Sequence, residues 1–130
     1  MPLTTLTLAV VGADYPNKRG PSRRFELAMC RPGEPVELRP EPNNPADPRA
    51  VAVYSCRGVQ IGYLTAERCG RIGTLIRRGH EVRSIFQAST PFGALIRTAF
   101  DGEVPALPQN IGEDADDTPD FWPDEEWADE

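Results

Sequence analysis

The chain has few residues that bind metals or form disulfides, and it has no long apolar segment. Among its 130 residues there are one histidine, His80, and three cysteines, Cys30, Cys56 and Cys69, which share no CxxC spacing. A zinc site would require all four side chains to converge, so we predict reduced thiols, with no metal and no cofactor. No stretch approaches the ~20 consecutive apolar residues of a membrane-spanning helix. We therefore expect a soluble, cytoplasmic protein that does not contact membranes.

The motifs of the common enzyme classes are also missing. There is no G-x-S-x-G, no P-loop and no HExxH, and His80 has no serine or cysteine partner at the spacing of a known motif. Within residues 1–100, Glu41 and Asp47 are the clustered acids that a nuclease or other hydrolase would use, and no further motif supports them. We therefore predict that the protein is not an enzyme and has no catalytic residues.

Charge is divided unevenly along the chain. Residues 1–100 contain 14 lysines and arginines against eight acids, a net charge of +6, whereas residues 101–130 contain 12 acids and no lysine or arginine, a net charge of −12. Dense like charge and proline are typical of disorder. We predict one folded domain over residues 1–100 and an acidic, disordered tail over residues 101–130. The basic charge of the folded part is compatible with binding a polyanion.

Short strands are predicted for most of the folded part. Fourteen prolines and eleven glycines imply many turns. Residues 94–100 are ambiguous between a final strand and a short helix. The expected architecture is mainly β with one or two helices, as a small barrel or half-barrel with a helix across it. Alternating apolar residues predict six strands, at residues 6–10, 25–29, 36–39, 50–55, 59–64 and 82–88.

One helix is predicted between the fifth and sixth strands, from about Ala66 to Arg78. Thr65 is placed to cap its first turn, and Gly79 is placed to end it. We expect one face of this helix to be apolar and to pack against the strands. The apolar residues at helical spacing are Cys69, Ile72, Leu75 and Ile76.

A stiff polar segment precedes the fourth strand, where residues 41–54 read EPNNPADPRAVAVY. We call residues 41–48 the elbow. Its three prolines fix φ, while Asn43, Asn44 and Asp47 bond readily to nearby backbone. Two interpretations stay open: the elbow is only a rigid turn, or its amides and carboxylate bind a ligand such as the sugar hydroxyl at a nucleic-acid end. A calcium loop fits poorly, because a mid-loop glycine and a final glutamate are missing.

Four stretches resemble the HIRAN domain: VVGADY (10–15), EPNNPADPRAVAVY (41–54), GVQIGYLTAE (58–67) and TPFG (90–93). The resemblance covers about residues 5 to 93, in the expected order. This domain occurs at the front of helicase-like transcription factors and related DNA-repair translocases, and also as small stand-alone bacterial and phage proteins. The resemblance implies an OB-like β-barrel that binds single-stranded DNA at its 3′-hydroxyl end, without catalysis, in DNA repair or replication.

The resemblance also assigns nucleic-acid-binding roles to individual residues. Tyr15 matches an aromatic residue of the first loop, on which a base stacks, and Phe92 matches a second aromatic beside the nucleotide. Asn43, Asn44 and Asp47 match the polar set around the terminal nucleotide and its 3′-hydroxyl. We therefore expect Asn44→Ala to weaken binding to a free 3′ end while leaving stability nearly unchanged. We also expect Phe92 to be partly exposed beside Tyr15.

Two residues depart from the family pattern and keep a second function open. Asp14 stands where members that bind DNA commonly have a basic residue, and Ala46 stands where they often have an aromatic one. Asp14 would repel a phosphate, and a lost stacking surface would cost ~1–3 kcal/mol. The alternative is a protein-interaction or regulatory adaptor that keeps the fold without binding DNA ends. The partners under consideration are thus single-stranded DNA or DNA 3′ ends, a protein, and the chain's own acidic tail.

Overall fold

Six strands and two helices make up the folded part of the chain. The computed structural model describes residues 5–107, so most of the predicted acidic tail, residues 108–130, lies outside the described residues. The prediction of a mainly β fold with one or two helices is confirmed. In chain order the elements are β1 (Leu6–Val11), α1 (Arg23–Met29), β2 (Pro35–Pro40), β3 (Val51–Tyr54), β4 (Gln60–Leu64), α2 (Ala66–Arg77), β5 (Val82–Thr90) and β6 (Gly93–Phe100).

The six strands form one closed barrel in which every neighbouring pair is antiparallel. Their order around the barrel is β1-β4-β3-β2-β5-β6. β1 closes the barrel by pairing with β6, from Leu6 opposite Thr98 to Val10 opposite Ala94. Burial of each large aliphatic side chain in the interior contributes about 1.5–3 kcal/mol. The core includes Leu8, Val10, Val51, Val53, Ile61, Phe86 and Ile96.

The helix α2 packs on β3 with the face that the sequence predicted. Cys69 and Ile72 are buried in the core, and the next apolar residues of this face pack against it. Thr65 occupies the N-cap position, but its hydroxyl makes no capping hydrogen bond. The helix ends before Gly79, whose φ of 89° is a left-handed conformation that glycine adopts without strain.

The strand predicted at residues 25–29 is wrong, because these residues belong to the helix α1. The Ser22 hydroxyl accepts a hydrogen bond from the backbone N–H of Phe25 at 3.0 Å and so caps the helix. The inward face carries Arg23, Glu26 and Leu27, at the spacing of three and four residues that a helix requires. The alternating apolar residues of 25–29 therefore do not form the buried face of a strand. Phe25 and Met29 point outward instead, 60% and 51% exposed.

The ambiguous segment 94–100 is a strand. As β6 it pairs with β5 along almost its whole length and with β1 on its other side. Pro91 and Phe92 form the tight turn between β5 and β6. Across residues 5–107, no helix is long and apolar enough to cross a membrane.

Two glycines allow the strands on either side of β1 to approach it closely. A Cβ atom at Gly93 in β6 would overlap the carbonyl oxygen of Val10, and one at Gly62 in β4 would overlap the carbonyl oxygen of Val11. Glycine in a strand is typical of such close backbone approach. The end of β1 therefore lies between β4 and β6 at a distance that a side chain at either glycine would not permit.

We predict that Gly93→Ala lowers the free energy of unfolding by about 3 kcal/mol, because the new methyl group overpacks a site bounded by backbone. Gly70→Ala is the matched control. Gly70 lies in α2 with no atom nearer than 3.9 Å to its Cβ position, so the change should be neutral or stabilising by up to about 1 kcal/mol. Urea denaturation of both variants measures the difference, and equal stability would contradict the close approach.

Candidate nucleic-acid interface

An open cleft of about 1120 Å³ lies between the elbow and the loop that follows β1. One wall is the loop segment 16–21, and the other is the first half of the elbow, residues 41–45. The floor comes from the β3–β4 hairpin, including Tyr54 and Tyr63. The β-barrel thus brings together two loops that are about 25 residues apart in sequence.

Arg23 supplies a buried positive charge to this cleft. Its side chain is only 6% exposed. Its Nε donates to the Asn17 side-chain oxygen at 2.9 Å, its Nη1 donates to the Gly12 carbonyl at 2.9 Å, and its guanidinium lies 5.6 Å from the Tyr63 ring centroid. Within residues 5–107 it has no carboxylate partner, and Nη2 makes no hydrogen bond. A buried cation without a counter-ion is unfavourable, so an anionic ligand at this site would be stabilised by Arg23.

The wall beside Arg23 is fixed in place by Asn17. The Asn17 amide donates to the carbonyl oxygens of Pro21, at 3.1 Å, and of Gln60, at 3.0 Å. These bonds fasten the loop to β4. The neighbouring Lys18 and Arg19 are exposed, and neither has an ion-pair partner among the described residues. The wall therefore presents two exposed cations on a loop that hydrogen bonds fasten to β4.

The opposite wall is held by Asn44 and Glu41. The Asn44 amide donates to Glu41 Oε1 at 2.9 Å, and its side-chain oxygen accepts from the backbone N–H groups of Ala46 and Asp47, at 2.8 and 3.2 Å. Tyr63 Oη also donates to Glu41 Oε1, at 2.8 Å, and burial raises the pKa of this phenol. Asn44 lines the cleft, but both ends of its amide are occupied by the elbow itself.

The other two polar residues predicted in the elbow differ from Asn44. Asn43 is exposed, lines the cleft and makes no side-chain hydrogen bond within the described part of the chain. Asp47 does not line the cleft. Its Oδ1 accepts from the Arg49 backbone N–H at 2.8 Å and lies 3.4 Å from the Arg49 Nε, while its Oδ2 has no partner among residues 5–107. Asn43 thus offers an unengaged amide, and Asp47 offers one unengaged oxygen outside the cleft.

The two predicted aromatic residues lie on neighbouring loops at one end of the barrel. Tyr15 is 71% exposed and Phe92 is 68% exposed, so the expected exposure of Phe92 is confirmed. The backbone N–H of Ala13 donates to the Phe92 carbonyl at 3.1 Å, which joins the two loops. Neither ring lines the cleft, but Tyr15 directly precedes Pro16, the first residue of the cleft wall.

Arg24 forms an ion pair with Asp14, the acidic residue that departs from the family pattern. Arg24 Nε lies 2.8 Å from Asp14 Oδ1, and Arg24 Nη2 donates to the Pro91 carbonyl oxygen. The hydrogen bond from Arg24 lowers the pKa of Asp14. The carboxylate that departs from the family pattern is therefore paired with a cation, and the same arginine braces the turn that carries Phe92.

A further polar cluster has a structural role. The buried carboxylate of Glu26 accepts hydrogen bonds from Ser55 Oγ and Arg57 Nε, both at 2.6 Å, and so ties α1 to the β3–β4 turn. Burial raises the pKa of the nearby Cys30 thiol to about 11, which keeps it protonated. Residues 5–107 contain no group of three or more His, Cys, Asp or Glu side chains placed to hold a metal ion.

Sequence reasoning missed the burial of Arg23 and its contact with Asn17. Arg23 follows a serine in an arginine pair, a pattern typical of a solvated surface. The one local signal was Ser22, a preferred N-cap residue, which places Arg23 in the first turn of a helix. Its burial depends on Gly12 and Tyr63, which no spacing connects to it.

Comparison with known proteins identifies the same kind of barrel. A family model described as the HIRAN domain matches residues 5–91. The crystal structure of the HIRAN domain of human HLTF is 23% identical over 74% of each chain, with a TM-score of 0.60. A Lactobacillus plantarum protein is 23% identical over 77% of this chain and 94% of its own, with a TM-score of 0.61. The NMR structure of the HLTF HIRAN domain in its DNA-bound conformation is 25% identical over 74% of this chain and 73% of its own, with a TM-score of 0.53. No curated protein matches the chain significantly.

The hydrogen bonds of Asn44 revise the expectation for its substitution. Asn44→Ala removes three hydrogen bonds within the elbow and leaves Glu41 with one fewer donor, so we predict a loss of about 1–3 kcal/mol in the free energy of unfolding. Asn43→Ala is the matched control, because its amide is unengaged, and it should change stability by less than about 0.5 kcal/mol. Thermal and urea denaturation measure both. If Asn44→Ala proves as stable as Asn43→Ala, the amide of Asn44 does not hold the elbow.

Proposed function

Because this chain belongs to the HIRAN domain family, we propose that it is a non-catalytic DNA-binding module that takes the 3′-hydroxyl end of single-stranded DNA into the cleft. The family model spans residues 5–91, which include both walls and the floor of the cleft. A solved relative, the HLTF HIRAN domain, has a structure in its DNA-bound conformation. Both observations support DNA as the ligand of the cleft.

The buried charge of Arg23 is the observation that carries this proposal. An unpaired guanidinium beside Lys18 and Arg19 forms a cationic wall that suits the phosphates of a nucleic-acid strand. The one carboxylate in the cleft, Glu41, is already bonded by Tyr63 and Asn44. A phosphate entering the cleft therefore meets free donors on one side and an engaged acid on the other.

The exposed rings supply the second part of the binding energy. Tyr15 at the edge of the cleft and Phe92 on the adjoining turn present open ring faces, and each base that stacks on such a ring gains about 1–3 kcal/mol. The brace from Arg24 holds the two loops together. Stacking of this kind tolerates any base, so we propose binding with little sequence preference.

The elbow would recognise the strand end. The free amide of Asn43 offers a donor and an acceptor at the cleft, and a terminal hydroxyl can use both. Asn44 fixes the shape of the elbow, which reduces the ordering cost of binding. Asp47 does not line the cleft, but we keep it in the proposed site as a further acceptor on the elbow, because its Oδ2 has no partner among residues 5–107.

We place this activity in DNA repair or replication in the cytoplasm. Free 3′ ends arise in both processes, and the three cysteines of the chain are unpaired thiols, as the reducing cytoplasm favours. We further propose that the acidic residues 101–130 compete with DNA for the cationic wall. Aromatic residues alternate with acids there, at Phe121, Trp122 and Trp127, and would occupy the same stacking surfaces.

Substitution of the rings tests the proposed DNA site. Tyr15→Ala and Phe92→Ala should each weaken binding of a 3′-hydroxyl single strand by about 1–3 kcal/mol without changing stability, since both side chains are exposed. Val104→Ala is the control: its side chain is also exposed but lies by β2 and β5. Fluorescence anisotropy with 3′-hydroxyl strands, 3′-phosphate strands and blunt duplex gives the affinities.

Three results of that titration would count against the proposal in different ways. Equal affinity for the two kinds of 3′ end would reject end recognition but retain single-strand binding. Unchanged affinity in both ring variants would move the site away from these loops. No binding to any oligonucleotide would favour the alternative function, a protein-interaction adaptor with the same fold.

Deletion of residues 108–130 tests the competing tail. The deletion removes ten acids that are tethered at an effective concentration on the order of millimolar. We expect the affinity for single strands to rise at low salt, and the gain to shrink as salt screens the attraction. An affinity that stays the same at every salt concentration would leave these residues without a role in binding.

A further inference from the structure

The outer surface of α2 carries a second group of unpaired cations. Four arginines at exposed positions follow the helix to its end, and we call them the α2 patch: Arg68, Arg71, Arg77 and Arg78. None of the four has an ion-pair partner within residues 5–107. Arg71 and Arg78 are seven residues apart, so they lie two turns from each other on the same side of the helix.

Among residues 5–107, more than half of the arginines outside the α2 patch are paired, whereas none in the patch is. Five others are paired with nearby carboxylates: Arg24, Arg39, Arg49, Arg57 and Arg83. On α2 only Glu67 offers a carboxylate, and it pairs with none of the four. Like charges at helical spacing destabilise a helix slightly. The fold therefore carries a concentrated positive charge here that its own packing does not use.

The α2 patch continues from the far end of the elbow. Arg49 directly follows the elbow and is bonded to Asp47, and its side chain lies 3.9 Å from the Cβ position of Gly70 in α2. Gly73 of the same helix packs against Val51 at the start of β3. A strand that leaves the cleft over the elbow thus meets α2 next.

We propose that the α2 patch binds the phosphate backbone of the same DNA strand whose end occupies the cleft. This inference rests on the proposed function and extends it from an end site to a longer track. Charge complementarity favours phosphates, and arginine binds them in a planar, bidentate manner. The 12 residues of α2 span about 18 Å along the helix axis, which adds several nucleotides to the bound length.

The test compares the full-length chain with an Arg71→Gln, Arg78→Gln double variant. Both replacements are good helix formers, so the helix should persist. Binding is measured with 3′-hydroxyl strands of about four and about twelve nucleotides, lengths within the range for one OB fold. We expect the wild type to bind the longer strand more tightly. The double variant should lose this gain and keep its affinity for the short strand.

Salt dependence gives a second readout. Each phosphate contact on a single strand contributes about 0.7 to the slope of log K against log salt concentration. Loss of two contacts should therefore make the slope for the longer strand shallower by about 1.4. An Arg31→Gln, Arg83→Gln variant lowers the formal charge by the same two units after α1 and in β5, although Arg83, unlike the patch arginines, is paired with Glu81. It should keep both the length gain and the slope.

Several outcomes would overturn the proposal. Equal losses in the two double variants would show that only net charge matters. A wild type that binds both lengths equally would reject the track and leave the cleft site intact, whereas a wild type that binds neither would contradict the proposed function and this inference with it. If the patch instead holds the chain's own acidic residues, the side-chain NMR signals of Arg71 and Arg78 will shift when residues 108–130 are deleted and will not shift when the longer strand is added.

Discussion

The guanidinium of Arg23 lies where the end of β1, the following loop and β4 meet. An amide, a backbone carbonyl and an aromatic ring hold it there, from Asn17, Gly12 and Tyr63. None of these groups carries a negative charge, so dipoles and a ring face replace the usual carboxylate. Arg23 therefore supports the fold and still lines the cleft with a charge that pairs with no carboxylate of residues 5–107. This one side chain thus links the first turn of α1, the loop after β1 and the floor of the cleft.

Much of the fold follows from local patterns in the sequence. The strand Leu6–Val11 alternates as a half-buried strand does, whereas Val51–Tyr54 is a short apolar run whose first three residues are fully buried. The helix α2 shows a long apolar face with clear ends. The helix α1 is different, because in seven residues an alternation of apolar side chains fits a strand and a helix alike. The capping bond of Ser22 and the burial of Glu26 on the inward face both favour the helix. That buried acid depends on Ser55 and Arg57, which lie about 30 residues away, so the pattern of Phe25 to Met29 alone could not reveal it.

The sequence predicted some of the residues that form the candidate site. It could not predict which of their polar groups are already hydrogen-bonded within the fold. The sequence pointed to the elbow and to two exposed rings, and the structure places Asn43 and Asn44 on the cleft wall. It could not show that Asn44 is bonded to Glu41 while Asn43 is free, because the Glu41 carboxylate is positioned by Tyr63 from another strand. The neutralisation of Asp14 likewise depends on Arg24, which only the turn of α1 brings near. Sequence identifies which groups are present; tertiary contacts decide which of them remain available.

The antiparallel pairing of β1 with β6 also governs how this barrel can be joined to other domains. Leu6 lies opposite Thr98, so β1 begins beside the end of β6, and after β6 the chain continues to Leu107, beside β2 and β5. The loop that forms the cleft wall follows the opposite end of β1, roughly 17 Å away at the rise of a strand. The start of β1 and the end of β6 both lie away from the mouth of the cleft, so a domain joined at either point would leave the path of a single strand into the cleft open.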